Sequence, residues 1–274
     1  MSKGFLVLAQ NNSEVDYIKQ AYALALSVNV SQPNTKISLV TDDLVPAEYV
    51  SAFDQIIPIP FGDHAKDSQW KIENRWKLYH ATPYDETIVF DADMLVLKDL
   101  ANCWKFAEGR DLLFTSVVKD YRGNPVTDTT YRKMFVENDL PNLYSGMYYF
   151  RKSDFSKQFF STLEYISYNW KRFFFEIAPK HSQGFFSIDV ACAITAKLLG
   201  IEDQIVHTSS PFTFVHMKPA LQSWSPVPLS CYSQVSVNLN SKKNLYIGNY
   251  LQQEVFHYVE PEFLTNAMLE NLRV

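Results

Sequence analysis

The chain has 274 residues, enough for one large α/β domain or two small ones. Its 25 Lys and Arg stand against 30 Asp and Glu, a net charge of −5, which lacks the basic excess of a protein held mainly by nucleic-acid phosphates. No apolar run reaches the ~18 residues of a membrane span. The 47% hydrophobic fraction supports a substantial core, and the 15% aromatic fraction suits surfaces that stack on rings or sugars.

Residues 4–9 (GFLVLA) read as a first buried strand, followed by a polar loop over 10–16. Only residues 5–9 are apolar at the N-terminus, too short for a secretory leader. Residues 17–30 have helical periodicity. Residues 36–41 (KISLVT) form a second strand, Pro46 opens a short helix, and 54–60 (DQIIPIP) make a short edge strand. This alternation opens an α/β sheet, in which ligands gather at the carboxyl ends of strands. Residues 70–80 read as a helix that exposes Arg75 and Lys77. Further strands are expected over 111–118, 142–150 and 211–216, a long helix after Ser153-Asp154, and another helix carrying Asp189 near its start. Residues 225–274 hold two weak β-like runs and a terminal helix. The simplest partition is a domain over 1–224 with a C-terminal extension, 225–274, packed on it. Cys103, Cys192 and Cys231 are far apart and form no CxxC, as in a reduced, cytoplasmic protein. There is no GxGxxG and no P-loop.

The chemistry centres on residues 87–99, TIVFDADMLVLKD. A short apolar run enters Asp91-Ala92-Asp93. In an extended chain, side chains two apart point the same way, so both carboxylates project together from a strand end. Two like charges held side by side repel, and a divalent cation relieves that repulsion. Hard oxygen ligands suit Mg²⁺ or Mn²⁺. The pair then ties a cation to an anionic nucleotide donor. An ordinary solvated turn is the other reading of Asp-x-Asp.

The stretch Lys77-Leu78, then Asp85, then Ile88 to Leu97 with Asp91-Ala92-Asp93 at its centre, resembles the metal-binding block of glycosyltransferase family 8. That family holds glycogenin and bacterial lipopolysaccharide galactosyl- and glucosyltransferases. Tyr17-Ile18-Lys19-Gln20-Ala21 is similar to the family's Tyr-Ala-Lys-Gly-Ala segment, whose Tyr stacks on uracil. Ala9, Gln10 and Asn11 correspond to its loop for the base and ribose. Val215-His216 is similar to its strand ending in a third metal ligand, and Lys218-Pro219 follows. Three positions depart: Tyr144 stands for an Asn, Val190 for a Gln, and the His-to-Lys spacing is short.

The resemblance implies an α/β GT-A fold, a Rossmann-like, mostly parallel mixed sheet between helices. It implies Mn²⁺ (or Mg²⁺) on Asp91, Asp93 and His216, and a UDP-sugar donor contacted by Ala9, Gln10, Asn11, Tyr17, Lys77, Asp91, Ala92 and Lys218. Lys77 or Arg75 adds charge at sugar or phosphate, and Asp189 contacts a sugar hydroxyl beside C1 or simply caps its helix. The expected reaction is transfer of a hexose, glucose or galactose, with retention, to a glycan, protein or other hydroxyl acceptor, nucleic acid being disfavoured by charge. The other histidines, His257 among them, read as surface or structural. Two rivals are a catalytically degenerate nucleotide- or glycan-binding protein of the same fold, and a haloacid-dehalogenase-type phosphatase.

Overall fold

The computed structural model describes residues 1–181 and 183–273. The strands follow in chain order as β1 (Lys3–Leu8), β2 (Lys36–Val40), β3 (Ile56–Ile57), β4 (Glu86–Phe90), β5 (Met94–Val96), β6 (Leu112–Thr115), β7 (Val117–Lys119) and β8 (Tyr144–Arg151). Then come β9 (Thr213–His216), β10 (Val237–Leu239), β11 (Leu245–Ile247), β12 (Tyr250–Gln252) and β13 (Val255–His257). The central sheet runs β3-β2-β1-β4-β8-β6. β1 to β4 are mutually parallel, and β8 runs against both its neighbours. This is the mostly parallel mixed sheet that the sequence implies.

Both faces of this sheet are covered, which is why its strands are continuously apolar rather than alternating. Phe5, Val7, Ile88 and Phe90 point into one core with Ile18, Ala21, Leu24 and Val28 of the helix Tyr17–Ser31. Leu6, Leu8 and Val89 point into the other, with Phe159 and Leu163 of the helix Asp154–Tyr168 and Ala191 and Ile194 of the helix Ile188–Leu199. Asp16 caps the first helix by accepting from the Lys19 amide, and Ser153 caps the second by accepting from Ser156.

A second sheet, β5-β13-β9-β7, stands against the first. The two are stitched by short links. Asp91-Ala92-Asp93 is the whole connection from β4 to β5, and Ser116 alone joins β6 to β7. The single strand expected over 111–118 is therefore two strands in different sheets. β13 pairs antiparallel with β5 and parallel with β9. The 225–274 segment thus supplies an interior strand of the second sheet, besides the meander β10-β11-β12 and the helix Asn266–Arg273, which lies on Tyr17–Ser31. The expected helix over 70–80 is a 3₁₀ turn, Ile72–Lys77, running into a short α-helix, Leu78–Ala81, and both basic residues on it are buried. Cys103, Cys192 and Cys231 are free and buried. Among the described residues, no helix is long and apolar enough to cross a membrane.

Candidate active site

A cleft of about 650 Å³ opens at the carboxyl ends of β1 and β4, where an α/β sheet places its ligands. Asp91 and Asp93 form its floor because the chain turns there from one sheet to the next. Gly146 of β8 lies directly beneath. Its carbonyl accepts from the Asp91 amide at 2.9 Å, and a Cβ there would sit 2.8 Å from Met94 Cε and 3.1 Å from Asp91 Oδ2. A larger residue there would have to displace the end of Met94 and crowd that carboxylate.

The group that completes the pair is His257, at the end of β13. Its Nε2 is 3.0 Å from Asp93 Oδ2 and 4.0 Å from Asp91 Oδ2. One ligating atom from each of the three lies within 4.8 Å of the others. His216, the histidine expected there, lies outside this group. The register explains why: His216 and His257 are partners on adjacent parallel strands, and β13, not β9, is the neighbour of β5. His216 stacks behind, ring centroids 4.7 Å apart, and still lines the cleft. His257, expected to be structural or on the surface, is instead buried on the cleft floor. The signal that could have found it is an apolar run ending in histidine, Val255-Phe256-His257, of the same form as Phe214-Val215-His216.

The electrostatics follow from this packing. Burial pushes the Asp91 carboxyl up against the pull of Arg75 and His257. Burial also works against ionising Asp93, but His257 beside it holds that carboxyl below its ordinary value. His257 is in turn raised by Asp93 despite burial. His216 is pushed well down by burial and by His257, and is neutral. Arg75 hydrogen-bonds Asp91 Oδ1, which leaves Oδ2 facing His257. Two carboxylates and one imidazole are a donor set of the kind that holds a divalent metal ion.

Of the other expected residues, Gln10, Tyr17, Ala92, Asp189 and Lys218 line the cleft with Arg75. Burial and then Asp93 and Asp91 push the Tyr17 phenol up to about 12, so it is a neutral ring. Gln10 accepts from Asn74 at 2.6 Å. Lys218 reaches the Tyr131 hydroxyl. Ala9, Asn11 and Lys77 stand elsewhere. Ala9 is buried in the core, and Asn11 accepts from the Ile18 amide at 3.0 Å, helping to hold the start of the helix. Lys77 is buried and turned to the Gly62 carbonyl, so the cation at the Asp pair is Arg75. Asp189 lies two residues past the true cap, Ser187, and its carboxylate is held by Ser145 and Arg132.

No protein-family model matches the chain, and no curated protein matches it in sequence. Solved structures do match in shape. The galactosyltransferase LgtC, in complex with donor and acceptor sugar analogs, is 12% identical with a TM-score of 0.57, covering 98% of this chain and 95% of that one. The apo form of the glycosyltransferase GlyE of Streptococcus pneumoniae TIGR4 is 15% identical with a TM-score of 0.52, over all of this chain. The chain spans 61% of the length of GlyE. Mouse xyloside xylosyltransferase 1 is 10% identical with a TM-score of 0.51, covering 94% and 97% of the two chains. The fold is GT-A.

Proposed function

We propose that the protein is a metal-dependent glycosyltransferase that takes a hexose, glucose or galactose, from a UDP-sugar and passes it to a hydroxyl acceptor with retention. One observation carries the reading: two carboxylates and a histidine converge on the floor of a cleft at the strand ends of a GT-A fold. Asp91, Asp93 and His257 would hold Mn²⁺ or Mg²⁺. The cation would supply positive charge to the diphosphate leaving group, beside a protein of net negative charge. The chain's own residues do the rest. Tyr17 offers its ring to the uracil. Arg75 orients Asp91 and places a fixed positive charge on the sugar side of the pair. Lys218 stands within the cleft for a phosphate oxygen, and Asp189 accepts a hydroxyl of the sugar. The acceptor belongs to the class of glycans, proteins or other hydroxyl compounds.

The test is UDP release from a panel of UDP-sugars with Mn²⁺ and without acceptor, since such enzymes slowly pass the sugar to water. Release from one donor, lost with EDTA and reduced about 100-fold or more in Asp93→Ala, is the expected result. Turnover that survives Asp93→Ala would overturn the metal-site assignment. Absence of both turnover and Mn²⁺-dependent UDP binding by calorimetry would overturn the reading itself.

A further inference from the structure

Arg132 lies in the wall behind the cleft, only 8% exposed, and each nitrogen of its guanidinium has its own acceptor. Nε donates to Asn142 Oδ1 at 2.9 Å, Nη1 to Asp189 Oδ2 at 3.0 Å, and Nη2 to the Leu143 carbonyl. The flat group packs on two rings, 3.6 Å from the centroid of Phe135 and 4.1 Å from that of Tyr144. Both the fork geometry and the aromatic packing fix its orientation, in a way an ammonium could not match. From the other side, Asp189 Oδ1 accepts from the Ser145 amide at 2.8 Å and from the Ser145 hydroxyl at 2.6 Å. Asp189 is therefore gripped at both oxygens while its carboxylate still borders the cleft.

We propose that Arg132 is the positioning residue for Asp189, fixing its carboxylate in one orientation as an acceptor for a hydroxyl of the donor sugar. This rests on the transferase reading above. A carboxylate offers about four acceptor directions, and three are taken by Arg132 and Ser145. The remaining one serves a donor hydroxyl. Burial opposes the charge on Asp189, but Arg132 and the Ser145 hydrogen bonds outweigh it and hold the carboxyl below its ordinary value. A carboxylate gripped at both oxygens, with one acceptor direction left open, is arranged to receive a hydroxyl. Asp189 thus orients the sugar. Tyr144 belongs to the same device: it stands where the resembling family carries an Asn, and its ring is one of the two surfaces on which Arg132 rests.

The experiment is a double-mutant cycle on donor cleavage, with UDP-glucose and UDP-galactose as probes and Mn²⁺ present. The variants are Arg132→Met, Asp189→Asn and the two combined, each checked for a native near-UV circular dichroism spectrum. Arg132→Met and Asp189→Asn are each expected to lower kcat about tenfold or more, leaving the Kd for UDP within about threefold, and the combined variant is expected to be no slower than Asp189→Asn alone. Losses that multiply would overturn the proposal, as would an Arg132→Met protein that turns over like wild type. Should Arg132→Met not fold, Arg132→Lys replaces it: reduced kcat with unchanged UDP affinity supports the proposal, and wild-type kcat overturns it. Wild-type protein that neither binds UDP nor cleaves a donor would remove the transferase reading and this role with it. Donor cleavage with multiplying losses removes only the role of Arg132.

Discussion

The two sheets meet at the site but are built in opposite ways. In the central sheet, β1, β2, β3 and β4 come from one continuous stretch of chain and run parallel, joined by local crossovers. In the small sheet every strand arrives from a different part of the sequence, and β13 is inserted between β5 and β9 from the far end. The first sheet places the two carboxylates and Tyr17. The second places the imidazole. A site on such a seam takes its acids from a locally wired region and its histidine from a region that exists only after long-range closure.

The sharpest way to break this comparison is to exchange the roles of the two histidines. His257→Ala should weaken Mn²⁺-dependent UDP binding about 10- to 100-fold, read by calorimetry. His216→Ala should leave that affinity within about threefold. It should instead lower the unfolding free energy, by the ~1–3 kcal/mol typical of opening a small cavity behind a packed ring, read by denaturant unfolding. The reverse result would return the metal site to β9. Gly146→Ala tests the seam from the central sheet. Its methyl would press on Met94 and on Asp91 Oδ2, so a loss of about 1–3 kcal/mol in denaturant unfolding is expected, with weakened metal-dependent binding. Unchanged binding would show that the Asp91 carboxylate has room to move.

Glu254 gives the mildest test, on the small sheet alone. From just before β13 it bridges Lys98, just past β5, to Lys119 of β7, spanning β13 and β9. Burial opposes its charge, but the two lysines outweigh it and hold the carboxyl below its ordinary value. Its contribution is therefore present above the unfolded-state pKa and is lost as pH falls through the folded one. Glu254→Gln should cost about 1–2 kcal/mol at neutral pH and make unfolding less steeply acid-dependent at and below pH ~4. An unaltered acid profile would mean that the bridge does not hold the strands.

The central sheet was legible in the sequence because its signals are local. Apolar runs of five or six residues, a capped helix and a pair of acids at a strand end all sit within the span that one element occupies. The edge strand over 54–60 is present as the two-residue β3. The split of 111–118 into β6 and β7 was not legible, since a single Ser between two apolar runs carries no turn chemistry. The exchange of His216 for His257 has the same origin. Both close an apolar run, and only pairing with β5 distinguishes them, which is a tertiary fact. Arg75 and Lys77 are two apart on a tight turn, so one faces Asp91 and the other the Gly62 carbonyl. Helical periodicity alone did not separate them.

The placement of β13 also bears on how the molecule is made. Asp93 and His257 are 164 residues apart, yet they share one hydrogen bond. A ribosome that has completed the central sheet has made both carboxylates but not their partner, and until residue 257 emerges the pair has only Arg75 to answer its charge. Translation stopped short of that strand, or a chain clipped before it, leaves Asp91 and Asp93 without His257.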